Sequence, residues 1–127
     1  MDVAIPPAPY PEWRKDPAGR AEDAAYAFGH HLITLCRDEA LARMPAGATA
    51  ETKAAAEEAV DLALHHVMDM LEGFWPLPSG DAHSLEYVLE VRVRDAAGSE
   101  IESIEISPST VDLPIGYWKW AHDREFR

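Results

Sequence analysis

The chain has 127 residues, of which 47% are hydrophobic and 27% are charged, a composition typical of a globular domain. Its 11 basic and 23 acidic residues give a formal net charge of −12, so the sequence predicts binding neither to nucleic acid nor to an anionic membrane surface. No apolar run approaches the roughly 20 residues that span a bilayer. We therefore expect one domain over residues 1–127, located in the cytoplasm.

The N-terminal third predicts an extended arm followed by a long helix. Five of the ten prolines fall within the first 17 residues, so residues 1–16 are expected to be an extended, proline-rich arm. Pro17 suits the first position of a helix, and apolar residues then recur at helical spacing over residues 17–44. Cys36 lies in this apolar pattern and is predicted to be a core residue.

A second long helix is predicted over residues 49–74. Thr49 is a suitable N-cap, and Gly73 suits the C-terminal end of the helix. The predicted core face of this helix comprises Ala56, Val60, Leu64, Val67, Leu71 and Phe74.

Residues 85–106 predict a β-hairpin, because apolar and polar side chains alternate on both sides of the sequence Asp95–Ser99. A five-residue loop would place Arg94 opposite Glu100 and Arg92 opposite Glu102. Ile101 would then lie on the core face, whereas Ile104 and Ile106 have the wrong parity for it. The pattern therefore predicts either a bulge near Ser103 or burial of both faces at the far end of the hairpin.

The last segment, residues 107–127, is rich in aromatic side chains, which would favour aggregation if they were all exposed. We expect most of them to pack on the domain or on a partner, and the predicted interaction residues are Tyr117, Trp118 and Trp120. The predicted fold class is α+β, with two long antiparallel helices packed on a small antiparallel sheet built around the hairpin. A two-stranded sheet is marginally stable alone, which indicates an added strand or a homodimer.

Candidate chemistry is concentrated on the second helix. Asp61, His65 and Asp69 follow one another at intervals of four residues, and a carboxylate beside an imidazole can orient a general base or a metal ligand. The same spacing is also typical of a solvated helix face. If the helices are antiparallel, His31 would meet His66, so the candidate metal ligands are His31, His65, His66 and Asp69. No zinc or di-iron ligand motif is present, and no cofactor is predicted.

One short motif carries a resemblance. Leu64 and His65, followed by Leu71, Glu72 and Gly73, form an H-x5-L-[DE]-G pattern over roughly 10 residues. It resembles the helix end of some small bacterial α+β proteins, immunity-type proteins among them. Those proteins have an aliphatic residue after the glycine, where this chain has Phe74. The resemblance implies no catalytic residue.

Two functions are consistent with the sequence. The first is a non-enzymatic, homodimeric bacterial protein that acts by binding a partner, and a basic protein is one candidate partner. The second is an enzyme or small-ligand-binding protein that uses His65 and Asp69, with Asp61 or His66 in support, as an acid/base pair or a divalent-metal site.

Overall fold

The computed structural model describes residues 17–107 and 112–126, and its helices and small antiparallel sheets confirm that the fold is α+β. The predicted arm of residues 1–16 lies outside the described residues, as do residues 108–111 and 127 of the predicted aromatic segment. The elements in chain order are α1 (Pro17–His31), a π-helical segment (Leu32–Asp38), α2 (Glu39–Ala42), α3 (Ala50–Leu71), β1 (Pro78–Ser79), β2 (His83–Ser84), β3 (Leu89–Arg94), β4 (Glu100–Ser107) and α4 (Leu113–His122).

The π-helical segment joins α1 to α2 without a break, since His31 and Glu39 at its two ends both have right-handed helical backbone angles. A π turn is wider than an α turn and so rotates the following side chains relative to the preceding ones. Ile33 and Arg37 consequently point inward and are buried, whereas Cys36 is exposed. The prediction that Cys36 is a core residue is therefore wrong.

Helix α3 has a defined signal at each end. The Thr49 hydroxyl accepts a hydrogen bond from the N–H of Thr52 at 3.1 Å, as expected of an N-cap. At the other end Gly73 has φ +74°, and the N–H of Phe74 donates to the carbonyl of Asp69 at 2.9 Å. This is the Schellman geometry that glycine favours. Phe74 lies beyond the helix and is 71% exposed, so its predicted place in the core is wrong.

In the part of the chain that the structure describes, the β structure consists of two antiparallel hairpins, β1 with β2 and β3 with β4. Arg94 pairs with Glu100 as predicted, but Arg92 lies opposite Ser103 because the register shifts between Val93 and Arg94. The residue displaced by this shift is Ile101, which is 63% exposed. The register irregularity thus moves Ile101 off the core face and allows Ile104 and Ile106 to be buried.

The core lies between the helices and one face of the second hairpin. Helix α1 contacts β4, and α4 contacts both α1 and α3. Trp120 of α4 is 1% exposed and packs so closely against α1 that a Cβ added at Gly29 would lie 2.3 Å from its ring. The other most buried hydrophobic residues are Ala24, Ala25, Ile33, Met68, Ile106, Leu113 and Tyr117.

One hydrogen bond joins the start of α4 to the end of α3, and two others fix the neighbouring backbone, one capping α4 and one joining β4 to α3. The Asp112 carboxylate accepts from the N–H of Ile115 at 3.2 Å, and Glu72 of the α3 C-cap accepts from the N–H of Leu113 at 3.4 Å. The Ser107 hydroxyl donates to the carbonyl of Leu71 at 2.7 Å. Helix α4 is thereby held along α3. Within the described residues, no helix has both the length and the apolar character needed to cross a membrane.

Candidate functional site

Asp61 is the polar centre of the helical packing. It lies on α3, is 5% exposed, and its carboxylate receives hydrogen bonds from two other helices. Arg37 donates from Nε to Oδ1 at 2.6 Å and from Nη2 to Oδ2 at 3.3 Å. The Tyr117 hydroxyl donates to Oδ1 at 2.6 Å. A buried carboxylate with two charge-assisted hydrogen bonds and one from a phenol has its hydrogen-bonding capacity satisfied. Because the donors lie on different elements, these bonds join the π-helical segment, α3 and α4.

Arg37 extends this contact into a chain of charges. Its guanidinium also lies 3.0 Å from Glu57 and 3.2 Å from Asp38. Asp38 in turn binds Arg124, which follows α4, at 2.6 Å and 3.1 Å. The orientation of Arg37 depends on the π-helical segment, since that wider turn directs residue 37 rather than residue 36 toward α3.

The environment of the three central groups shifts the pKa of each one toward a defined protonation state. Burial acts to raise the pKa of Asp61, but hydrogen bonds from Arg37 and Tyr117 outweigh it, so the pKa is lowered from its usual value. Burial and the bond to Asp61 raise the pKa of the Tyr117 hydroxyl. The hydrogen bond to Asp61 raises the pKa of Arg37 against the opposing effect of burial. Asp61 and Arg37 are therefore charged, and Tyr117 is neutral.

Aromatic and imidazole rings cover one side of this centre. Trp118 of α4 lies 5.0 Å from His65 of α3 and 5.2 Å from His122, both measured between ring centroids, with interplanar angles of 31° and 30°. His122 Nε2 lies 3.7 Å from Asp61 Oδ2. A protonated His122 would thus contact both a carboxylate and an indole ring.

A surface groove of about 460 Å³ opens beside these rings, between α3 and α4. Its charged lining is acidic, and Arg37 lies behind it with 6% of its side chain exposed. Of the lining residues, Trp118 is 36% exposed and presents an indole to solvent. The groove is lined by Ala54, Glu57, Glu58, Asp61 and Leu62 of α3 and by Trp118 and His122 of α4.

The predicted catalytic residues are not brought into one site. His65 Nδ1 lies 3.5 Å from Asp69 Oδ2, but His65 packs against Trp118 and neither residue lines the groove. Asp61, predicted to share their face, is instead buried in the contact with Arg37. The interpretation of these residues as a solvated face is also wrong for Asp61, because its carboxylate is enclosed by Arg37 and Tyr117.

Of the predicted metal candidates, His31 and His66 do not meet. His31 contacts His30 at a ring distance of 5.4 Å, whereas His66 contacts Trp75 at 5.6 Å. No ring contact joins His31 to His66 in the described part of the chain. Within residues 17–107 and 112–126, no group of three or more histidine, cysteine or acidic residues has a geometry that could hold a metal ion.

Of the three predicted interaction residues, Trp118 alone reaches the surface. Tyr117 is 0% exposed and Trp120 is 1% exposed, so both are core residues. Sequence reasoning missed Arg37 and His122 as parts of the site. Arg37 is a charge within an apolar helical pattern, which was a signal for a buried ion pair, whereas His122 carried no distinguishing signal.

Comparison with known proteins gives no relative for this chain. No protein-family model matches it. No curated protein and no solved structure matches it either. The resemblance of residues 64–73 to small bacterial α+β proteins therefore stays a prediction.

Proposed function

We propose that the protein is a small bacterial, cytoplasmic binding protein, and that the groove between α3 and α4 binds a basic segment of another protein. The observation that carries this proposal is the lining of the groove. Three carboxylates, those of Glu57, Glu58 and Asp61, line it, whereas the Arg37 guanidinium is buried behind them. An acidic concave surface beside an exposed indole is complementary to lysine and arginine side chains.

The carboxylates differ in their availability to a ligand. Asp61 is already bonded to Arg37 and Tyr117, and Glu57 is paired with Arg37. Glu58 makes no ion pair or hydrogen bond with any described residue and belongs to the same lining. We therefore assign Glu58 the direct contact with a basic side chain, with Glu57 in support.

Trp118 supplies the second type of contact. Its ring packs between the rings of His65 on α3 and His122 on α4. Little Trp118 side-chain entropy would therefore be lost when a ligand binds. A guanidinium or ammonium over an exposed tryptophan contributes about 0.5–1 kcal/mol. The net charge of −12 would additionally accelerate association with a basic partner at low ionic strength.

A calorimetric titration tests this function. The probe is a short peptide rich in arginine and lysine, and a glutamate-rich peptide of the same length is the negative control. We expect Glu58→Lys to weaken binding of the basic peptide at least about tenfold, because it replaces an attractive contact by a repulsive one. Glu105→Lys makes the same charge change on the exposed face of β4 and should leave the affinity within about twofold.

Equal weakening by the two variants would show that only net charge matters, and the groove would lose its assignment. Failure of the wild-type protein to bind the basic peptide at low salt would reject the proposal itself. A genuine groove complex should also weaken as salt is raised, since its contacts are between charges near the surface.

We also propose that two copies of the chain associate as a homodimer. Support comes from apolar side chains that remain on the surface near the second hairpin, among them Tyr87, Val88 and Ile101, which are 46%, 45% and 63% exposed. Apolar surface of this kind is typical of a contact with another molecule.

The alternative function is an acid/base or metal-dependent activity at His65 and Asp69, which lie 3.5 Å apart. It is tested by elemental analysis of protein purified without added metal, together with metal titration of His65→Ala. A bound transition metal that is lost in His65→Ala would favour this alternative over the binding function.

A further inference from the structure

The outer edge of β3 is open for pairing. Within the described residues, β3 is hydrogen-bonded to β4 alone, so its other edge presents backbone N–H and C=O groups without a strand partner. The side chains of β3 alternate between half-buried and exposed, with Leu89, Val91 and Val93 inward. A two-stranded sheet of this kind gains stability when further strands are added.

The sequence of β3 is complementary to itself in one antiparallel register. In antiparallel pairing, residues directly opposite each other project from the same face of the sheet. If two copies meet with Val91 on the two-fold axis, Glu90 lies opposite the partner's Arg92, and Arg92 lies opposite the partner's Glu90. On the inward face Leu89 then lies opposite the partner's Val93. Both faces of the strand are matched.

Neighbouring registers are opposed by charge. A shift of the axis to Arg92 places that residue opposite the partner's Arg92, and a shift to Glu90 places two glutamates opposite each other. Like charges directly opposite in a sheet are destabilising. The charge pattern Glu90, Arg92, Arg94 therefore selects the register centred on Val91.

The side chains required for this pairing are accessible. The side chains of Arg92 and Glu90 are 58% and 44% exposed. Within one copy, Arg92 Nε lies 3.4 Å from Glu90 and 3.5 Å from Glu100, which are weak surface contacts that can rearrange. Tyr87 and Val88, exposed at the start of the same edge, would lie near the far end of the partner's β3.

We infer that two copies of the chain pair through β3, antiparallel and centred on Val91, to form a continuous four-stranded sheet. This inference rests on the dimer proposed above and specifies its interface. It is independent of the groove between α3 and α4, because the groove is built from the two helices. Symmetric pairing of a sheet edge also covers the edge that would otherwise favour open-ended association.

A charge-swap experiment tests the interface by sedimentation equilibrium. Glu90→Arg places arginines at both positions 90 and 92, and Arg92→Glu places glutamates at both, so each variant repels a copy of itself. We expect each single variant to dissociate at least about tenfold more readily than wild type. An equimolar mixture of the two variants, and the double variant E90R/R92E, should again sediment at twice the chain mass.

The control is Lys53→Glu, which makes the same charge change as Arg92→Glu at an exposed position of α3 and should dimerise like wild type. Thermal unfolding of each variant verifies that it is folded. If both single variants remain dimeric, the β3 interface is overturned while a dimer through another surface stands. If wild type is a monomer at every concentration, the interface and the dimer both fail, and peptide binding measured on the same sample reports separately on the groove.

Discussion

The helical packing around Asp61 and the hairpin of β3 and β4 represent two contrasting regions. In the helical region Asp61, Tyr117 and Trp120 are at most 5% exposed, and the buried carboxylate has partners on two other helices. In the hairpin, Ile101 is 63% exposed and one edge of β3 carries no partner strand within the described residues. The buried carboxylate of the first region has its partners within one chain, whereas the second region leaves apolar side chains and the backbone groups of a strand edge for another molecule.

The largest effect is expected from breaking the polar centre of the helical region. Asp61→Ala would leave the Arg37 guanidinium, 6% exposed, without its principal partner, and should lower the free energy of unfolding by about 3–5 kcal/mol. Urea denaturation measures this loss. Asp69→Ala, on the same helix and bonded weakly to His65, is the control and should cost about 1 kcal/mol or less. Similar losses in the two variants would contradict the central role of Asp61.

Overpacking at Gly29 should have the next largest effect. A methyl group there would lie 2.3 Å from the Trp120 ring, and the ring is enclosed in the core. We expect Gly29→Ala to destabilise the protein by about 3 kcal/mol, observed as a lower midpoint of thermal unfolding. Gly47→Ala is the matched control, because no atom lies within 4 Å of its added Cβ. An unchanged midpoint in Gly29→Ala would show that Trp120 packs differently.

The pH dependence of stability follows from the pKa values in the same region. The pKa of Asp61 is lower in the folded protein than in the unfolded chain. Asp61 therefore contributes its full share to the free energy of unfolding above the unfolded pKa of about 4, and this share is lost as pH falls through the folded pKa. The raised pKa of Tyr117 acts at the other extreme, because stability should fall as pH rises above the unfolded value of about 10. Urea denaturation across pH measures both.

Two variants separate these effects. Asp61→Asn should reduce the acid dependence, and Tyr117→Phe should reduce the alkaline dependence while leaving the bond between Asp61 and Arg37. An acid limb unchanged in Asp61→Asn would indicate that other carboxylates control acid unfolding.

The smallest effect is expected at the exposed isoleucine of the hairpin. Ile101→Ala should change the free energy of unfolding of the monomer by about 0.5 kcal/mol or less, because its side chain is largely in water. Ile104→Ala, three residues away and 8% exposed, should cost about 2–4 kcal/mol. Equal losses measured under conditions that keep the protein monomeric would mean that the register of β4 differs from the one described.

The fold class was predictable because hydrophobic periodicity changes from helical to alternating within the chain. The two ends of α3 at Thr49 and Gly73 were also predictable, because helix capping depends on only a few neighbouring residues. The exposure of Cys36 was not predictable, because no residue type between positions 32 and 38 indicates the π-helical turn that rotates Arg37 inward. A prediction from hydrophobic periodicity assumes a uniform α-helix, and one wider turn changes which residues lie on the buried face of that helix.

The candidate site was predictable only in part. Trp118 and Asp61 were both identified from residue type, but their roles depend on contacts over long sequence separations. Asp61 is bonded to Arg37, 24 residues before it, and to Tyr117, 56 residues after it. Such pairings follow from how α4 packs against α3, and no short pattern encodes that. The alternating strand pattern did reveal that Ile104 and Ile106 have the opposite parity to Ile101, and the register shift between Val93 and Arg94 explains this conflict.

The proposed binding function is tested most directly by NMR chemical-shift mapping of the full chain during titration with the arginine- and lysine-rich peptide. The expected result is a set of shifts confined to the groove, with the largest at the Trp118 indole N–H and at the backbone of Glu57, Glu58 and Leu62. Shifts spread evenly over the acidic surface, or centred on the hairpin, would contradict the assignment of the groove between α3 and α4 as the binding site.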